Sequence, residues 1–342
     1  SVQQVYGRIM EDLDEAITLL TGASARADKA EISVEVAYGL RARANLLMGK
    51  WAAAASDAAK AYGTSAPYSV ADVSQPTFYN ATDNAWIWGI VVTTEDYLAK
   101  TGIVNWPSNL CSLTGMGYTT AASATDVAYR LINKNLWAKI PETDVRKGWW
   151  VDEDLHSPVL DNGLGEDYAY YWANGMFNGG TFPSKFSPYT NVKFGPDNGT
   201  FADTDNAQDW PLMRVEEMKL IEAEALGRDN LATGKQKLEE FVRQYRDPSY
   251  TCTASSLDAF IDEVWFQRRV ELWGEGFALF DILRLKKPII RQGANYPINS
   301  TFAEIAAEAP IMIYRIPEAE TSVNSAITCL LYTSPSPRDP KT

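Results

Sequence analysis

Residues 210–225 read Trp210-Pro211-Leu212-Met213-Arg214-Val215-Glu216-Glu217-Met218-Lys219-Leu220-Ile221-Glu222-Ala223-Glu224-Ala225. Steps of three and four place Leu212, Val215, Lys219 and Glu222 on one side. Met213, Glu217, Leu220, Ile221 and Glu224 fall on the other, which predicts a helix over 211–226 with Gly227 as its C′ residue. Glu217 and Glu224 are two turns apart and share a face with Leu220 and Ile221. A carboxylate on so apolar a face needs a charged partner to offset its desolvation. Downstream, 231–246 repeats the helical period (Leu231, Leu238, Phe241, Val242, Tyr245). A longer helix over 256–274 follows, and its register runs weakly on through 280–285 to Pro288. Arg268, Arg269 and Arg284 carry forks that match carboxylates, and Glu271, Glu275 and Asp281 add acceptors. Paired hydrolytic acids flank an open cleft. These groups sit among Trp273, Phe277, Phe280 and Leu283, so they read as a structural charge network that locks helices together.

Upstream, Val2, Val5, Ile9, Leu13, Ile17 and Leu20 predict a helix over 2–20. A second spans 31–48, and an Ala-rich third spans 52–62, beyond the turn Gly49-Lys50-Trp51. The hairpins 31–62 and 211–246 share a plan and a length near the ~34-residue tetratricopeptide unit, though spacing alone favours two ordinary helix pairs. The expected fold is mainly α: tetratricopeptide-like helix pairs at 1–62 and 211–288 carrying an irregular loop and short-strand layer over 64–210. That layer holds β-type runs such as Trp86-Ile87-Trp88-Gly89-Ile90-Val91-Val92, a short helix over 126–139, and a Gly-, Pro-, Asn- and aromatic-rich stretch over 141–210.

The net charge is −13, from 31 Lys+Arg against 44 Asp+Glu, which argues against nucleic acid as partner. The lone His156 excludes His-rich metal sites and reads as a loop residue, and no Gly-rich phosphate cradle occurs. Cys111, Cys252 and Cys329 form no close pair, so neither a zinc ribbon nor a disulfide framework is expected. No metal or cofactor is expected. No apolar run is long enough to span a membrane. The chain opens directly on helical sequence and reads as a fragment whose targeting signal, if any, lies upstream. Residues 325–342, rich in Pro and Ser, read as an unstructured, non-native tail.

Four segments together resemble the SusD/RagB family of outer-membrane nutrient-binding lipoproteins. The first is Ala37-Tyr38-Gly39-Leu40-Arg41-Ala42-Arg43-Ala44-Asn45-Leu46 with Gly49-Lys50-Trp51, similar to the family's Ala/Leu-rich hairpin. The second is 210–225. The third is Arg268-Arg269-Val270-Glu271-Leu272-Trp273-Gly274-Glu275-Gly276 with Asp281 and Arg284, and the fourth is Ile316-Pro317-Glu318-Ala319-Glu320 with Asn324. Gln267 and Ala278 stand where the family usually has Glu and Arg, and Val215-Glu216 replaces its apolar-Ala pair. The resemblance covers about 37–324 and implies one SusD-like domain over 1–324, without the family's N-terminal part. It also implies a surface-exposed, lipid-anchored outer-membrane protein for nutrient uptake and polysaccharide utilisation, seated over a SusC-like TonB-dependent transporter and capturing glycans or oligosaccharides.

Indole and phenol rings stack on the C–H faces of sugars, whose hydroxyls need polar partners nearby. The chain has 11 Trp, 17 Tyr and 12 Phe, many of them in the irregular stretches, such as Tyr118 and Phe177. The resemblance directs the ligand-binding expectation to Trp86, Trp88, Trp106, Trp149, Trp150, Tyr168, Tyr170, Tyr171 and Trp172. If 167–174 is a strand, Tyr168, Tyr170 and Trp172 share a face. Taken singly, each ring reads rather as packing of the loop layer onto the helices, and only the set as a whole is read as a sugar platform, on the resemblance. The chain is expected to be no enzyme. Two alternatives stand beside this reading: a glycoside hydrolase using Asp152, Glu153, Asp154, Glu166 or Asp167, and a helical-repeat scaffold that binds proteins.

Overall fold

The structure is a computed structural model and describes residues 1–97, 99, 110–113, 130–176, 185–201, 205, 207–296, 303–314, 316–317 and 322–324. Trp106, Tyr118, Phe177, Cys329, the start of the helix expected at 126–139 and the 325–342 tail lie outside the described residues.

The described fold is mainly helical, with tetratricopeptide-like pairs. Helix α1 spans Val2–Leu20, α2 Val34–Leu47, α3 Trp51–Tyr62 and α4 Val70–Val73, followed by strand β1, Trp86–Ile90. Helices α5 (Lys134–Trp137), α6 (Pro158–Leu164) and α7 (Glu166–Ala173) come next, then strand β2, Trp210–Arg214. Helices α8 (Val215–Asp229), α9 (Leu231–Tyr245), α10 (Leu257–Glu271) and α11 (Ala278–Arg284) complete the helical part. Two short strands follow, β3 (Ile289–Ile290) and β4 (Glu304–Ile305). The chain divides into two compact units, 1–278 with 293–295, and 279–292 with 296–342. In the second, β3 pairs antiparallel with β4, Lys286 Nζ lies 3.0 Å from Glu308 Oε1, and Arg284 Nε donates to Asp281 Oδ1 at 2.8 Å.

Three sequence expectations are corrected. Residues 210–214 are a strand, not the first turn of the helix: Trp210 faces Ile90, Pro211 faces Gly89 and Arg214 faces Trp86 in an antiparallel ribbon. Pro211 is as acceptable at a helix start as on a ribbon edge, so the pairing with β1 decided the matter. The layer over 64–210 also contains helices, α6 and α7 among them. Ser157 caps α6 by accepting from Leu160 N at 3.2 Å, and Pro158 sits in its first turn. Third, Gly227 lies inside α8 rather than after it.

The reason for that glycine is contact. A Cβ on Gly234 of α9 would stand 2.3 Å from Gly227 Cα and 2.9 Å from Ala223 O, so the backbones of α8 and α9 touch directly. Asn230 alone joins the two helices, and its side chain caps α9 through Thr233 N at 3.1 Å. On the other side of α8, Ala54, Ala58 and Ala61 of α3 are fully buried against Met218 and Ile221. Small residues thus set the spacing of the stack, as the Ala-rich sequence implied.

The first unit is tied together by buried charges. Glu271, at the end of α10, accepts from Arg246 Nε and Nη2 at 2.8 and 2.9 Å and from Arg146 Nη1 at 3.3 Å. Arg246 also reaches Glu216 Oε1 at 3.1 Å, and Arg214 Nη1 lies 2.8 Å from Glu216 Oε2. Arg214 forks onto Glu275 with two bonds of 2.8 Å, and Lys193 Nζ donates to Glu275 at 2.7 Å. Arg146 forks onto Asp144 and donates to Gln267 Oε1 at 2.6 Å. Asp144, Glu216, Glu271 and Glu275 therefore face Arg146, Lys193, Arg214 and Arg246, with no side chain more than a few per cent exposed.

Burial alone would raise the Glu271 carboxyl, but Arg246, Arg214 and Arg146 outweigh it and hold it well below the usual carboxylate range. Burial likewise opposes Glu275, and Arg214 and Lys193 win there too. Desolvation pulls the Lys193 ammonium down to about 8 despite Glu275.

Gly234→Ala is expected to destabilise the chain by about 2 kcal/mol through overpacking, despite a gain of ~1 kcal/mol in helix propensity. Denaturant midpoints compared with Gln236→Ala, on the exposed face of the same helix, check this. Glu271→Gln leaves buried guanidinium charge uncompensated and is expected to cost about 3–5 kcal/mol in urea unfolding. Glu271 and Glu275 stabilise the fold above the unfolded pKa of about 4.5 and lose that effect as pH falls toward their lower folded values. Unfolding free energy measured from pH 5 to pH 3 is thus expected to fall less steeply in Glu275→Gln than in the native sequence.

Candidate functional site

Of the nine rings expected to meet ligand, four are interred. Trp86, Trp149, Trp150 and Trp172 are at most 1% exposed, so they offer no ring face to solvent, and the expectation of a sugar platform is corrected at these positions. Trp149 walls the charge cluster, with Lys193 Nζ 5.0 Å from its ring, and its Nε1 donates to Val73 O at 3.0 Å. Trp86 Nε1 donates to Tyr68 Oη at 2.7 Å, and Trp172 Nε1 to Ser112 O at 3.2 Å. Trp150 packs edge-on against Trp273 at 5.7 Å. Trp88 is half-buried and donates to Ala30 O at 3.3 Å.

The tyrosines behave differently. Residues 166–173 are helix α7, not a strand. Ala169, Trp172 and Ala173 recur at helical spacing and are buried, which was the periodic signal in the sequence. Gly165, at φ 82°, makes the corner between α6 and α7, a conformation that favours glycine. With 3.6 residues per turn, the solvent half of α7 carries Tyr170, Asp167, Tyr171 and Tyr168 in angular order. Tyr168 and Tyr170 are 58% exposed and Tyr171 49%. The Tyr170 and Tyr171 rings meet edge-to-face at 5.9 Å, and Asn174 follows, its Nδ2 bonded to Tyr170 O. Three phenol rings thus stand in water beside a carboxylate and an amide.

A cleft of about 470 Å³ lies at the other end of this segment, lined by Val70, Trp137, Glu142, Thr143, Lys147, Trp150, Asp152, His156, Val159 and Asn162 among others. Lys147 Nζ rides 4.5 Å above the Trp137 ring and pairs with Glu142. His156 Nε2 faces Asp161 Oδ2 at 2.6 Å. Neither the cleft nor the pairing of His156 was readable in the sequence.

The acids weighed for hydrolysis are each engaged locally or exposed. Asp152 Oδ1 accepts from Asp154 N and His156 N, both at 2.9 Å, and so shapes its own turn. Glu153 is bonded to Lys134 Nζ at 2.7 Å and to Tyr189 Oη at 2.6 Å, which hold its carboxyl below the usual range. Asp154, Glu166 and Asp167 are exposed. Among the described residues, no group of three or more His, Cys, Asp or Glu could hold a metal ion, and the buried Cys111 and Cys252 are in no disulfide.

For the expected charge network, the structure places Glu217, Glu224, Arg268, Glu271 and Asp281 in buried positions. The fork onto Glu217 comes from Arg43 of α2, at 2.7 and 2.6 Å, not from the three arginines expected. Arg228 donates to Glu224 at 2.8 Å, Arg268 lies over Phe277, Arg269 over Trp265, and Arg284 serves Asp281. Sequence reading missed Asp144, Arg146, Lys193, Arg214, Glu216 and Arg246. Only Arg214 and Glu216, inside the quoted helix motif, gave any signal.

A comparison with curated proteins finds no match. Among solved structures, a SusD-like carbohydrate-binding protein from Bacteroides vulgatus aligns with a TM-score of 0.72 at 22% identity, covering 98% of this chain and 68% of that one. A SusD superfamily protein from Bacteroides thetaiotaomicron gives 0.68 at 19%, covering 94% and 65%. Surface glycan-binding protein A from the same organism gives 0.62 at 15%, covering 94% and 69%. At such identities the likeness is one of fold, and this chain spans about two thirds of the length of those structures. The SusD family's profile matches residues 118–330, well over half of the sequence, and the chain belongs to that family.

Proposed function

We propose that the chain captures glycans or oligosaccharides at the outer-membrane surface, without transforming them, for import through a SusC-like TonB-dependent transporter. The observation that carries this reading is α7: Tyr168, Tyr170 and Tyr171 turned to solvent, interleaved with Asp167 and followed by Asn174. Phenol faces suit the C–H surfaces of a pyranose, and the carboxylate and amide suit its hydroxyls. The names of two structural neighbours, carbohydrate-binding and glycan-binding, support the ligand class. Trp88 stays at the margin of this reading, since the residue is only half-buried.

The lipid anchor, the outer-membrane location and the transporter rest on family membership. A single acyl chain attaches only marginally to a bilayer, so contact with the transporter would share in holding the protein there. The binding role, as against hydrolysis, is supported by Glu153. Lys134 and Tyr189 favour its ionised form, whereas a leaving-group acid must arrive protonated.

Replacing Tyr168, Tyr170 and Tyr171 together by Ala removes about 1 kcal/mol per stacked ring, so affinity is expected to fall roughly 100-fold. Affinity electrophoresis against soluble polysaccharides reads this loss. Unchanged retardation of the triple variant would remove α7 from the site. Incubation with the same glycans is expected to release no reducing sugar, and sustained release would replace capture by hydrolysis.

A further inference from the structure

The cleft beside α5 and α6 has no part in the reading based on α7. Its volume, about 470 Å³, lies within the ~300–1,000 Å³ of small-molecule sites. Its walls are largely apolar: Val70, Val145, Trp150, Pro158, Val159 and the Trp137 ring.

Every charged lining residue already has a partner. Lys147 pairs with Glu142, and His156 Nε2 faces Asp161 Oδ2 at 2.6 Å. Asp144 holds Arg146, and Arg246 is engaged by Glu271. Asp152 Oδ1 takes two backbone N–H groups. Asp152 is thus the one charge lining the cleft that has no counter-ion among the described residues, and an ionic ligand at any of the others would break an existing pair.

Its rim does keep acceptor capacity. Asn162 Nδ2 is committed to Ser74 O at 2.9 Å, which leaves its Oδ1, and Asp152 retains Oδ2. Trp150 lines the same cleft and buries an indole Nε1 with no hydrogen-bond partner, whereas those of Trp86, Trp149 and Trp172 donate. An orphaned buried donor is a cost that a fold carries only where something else holds the residue in place.

From these observations we infer that the cleft is a separate site for one neutral, hydroxyl-rich unit of pyranose type, its C–H face on the apolar wall and its hydroxyls donating to Asn162 Oδ1 and Asp152 Oδ2. This rests on the glycan reading and adds to it a pocket for a single sugar unit, independent of the surface on α7.

The test is calorimetry, with saturation-transfer NMR, of the intact chain against methyl glycosides of glucose, galactose, mannose and xylose. Glucuronate, glucosamine and a longer oligosaccharide panel run in parallel. At least one neutral glycoside is expected to bind at millimolar concentration. Trp137→Leu is expected to weaken that binding at least 10-fold. Asn162→Trp alters an exposed rim position that leaves the core untouched, and it is expected to abolish binding by filling the mouth. Oligosaccharide binding without any monosaccharide binding overturns the cleft site and leaves the glycan reading standing. Binding of the charged sugars alone overturns the neutral assignment. Monosaccharide binding that survives both variants at full strength places it elsewhere and overturns the proposal. Silence of every saccharide overturns both readings.

Discussion

Eight buried charges, four of each sign, hold the first unit in one arrangement. The acids come from the turn at 144, the start of α8, the end of α10 and the loop after it. The cations come from the 3₁₀ turn at 146, the extended segment at 193, strand β2 and the end of α9. Taking these groups out of water is expensive, and an apolar core of equal volume would serve stability as well. What the cluster adds is selection among arrangements. Any shift of the loop layer against α8 and α10 leaves a charge unpaired in a medium where that costs most. Phe78, Trp149 and Phe194 close around Lys193, each ring within about 5 Å of its ammonium, so the aromatic core and the ionic core are one object.

That arrangement settles the use of the rings. Among the described residues the irregular layer has no long helix with which to bury itself, so its large side chains supply the burial. Trp86, Trp149, Trp150 and Trp172 are spent in this way, on packing and internal hydrogen bonds. The tyrosines of α7 are left outside because their helix buries its Ala169–Trp172–Ala173 face and turns the rest to water. The aromatic surface here is the remainder after the core is filled. A phenol suits that position better than an indole, since its hydroxyl tolerates solvent.

Much of the scaffold was legible. The hairpins α2–α3 and α8–α9 follow from periodicity, from alanines at buried positions and from glycines where backbones or turns require them. Long periodic helices carry their own signal, because one face must be apolar whatever it packs against. The site was far less legible. An aromatic residue in irregular sequence looks the same whether it becomes core or platform, and the sequence separated Tyr171 from Trp172 no better than Trp149 from Trp150. Residues 210–214 show the same limit. Their pattern satisfies a helix, and only the partner strand at 86–90 makes them extended.

The amino-acid sequence by itself determined which segments become helices, how closely those helices approach and that acids and arginines would be buried among them. These are properties of neighbours along the chain, written at spacings of three, four and seven. Only the tertiary structure decided which arginine meets which acid, as when Arg43 takes Glu217 across 174 positions and Arg246 takes Glu271. It also decided which rings are interred and which face water. Those choices depend on surfaces brought together from distant parts of the chain, and local periodicity carries no record of what lies on the other side of a contact.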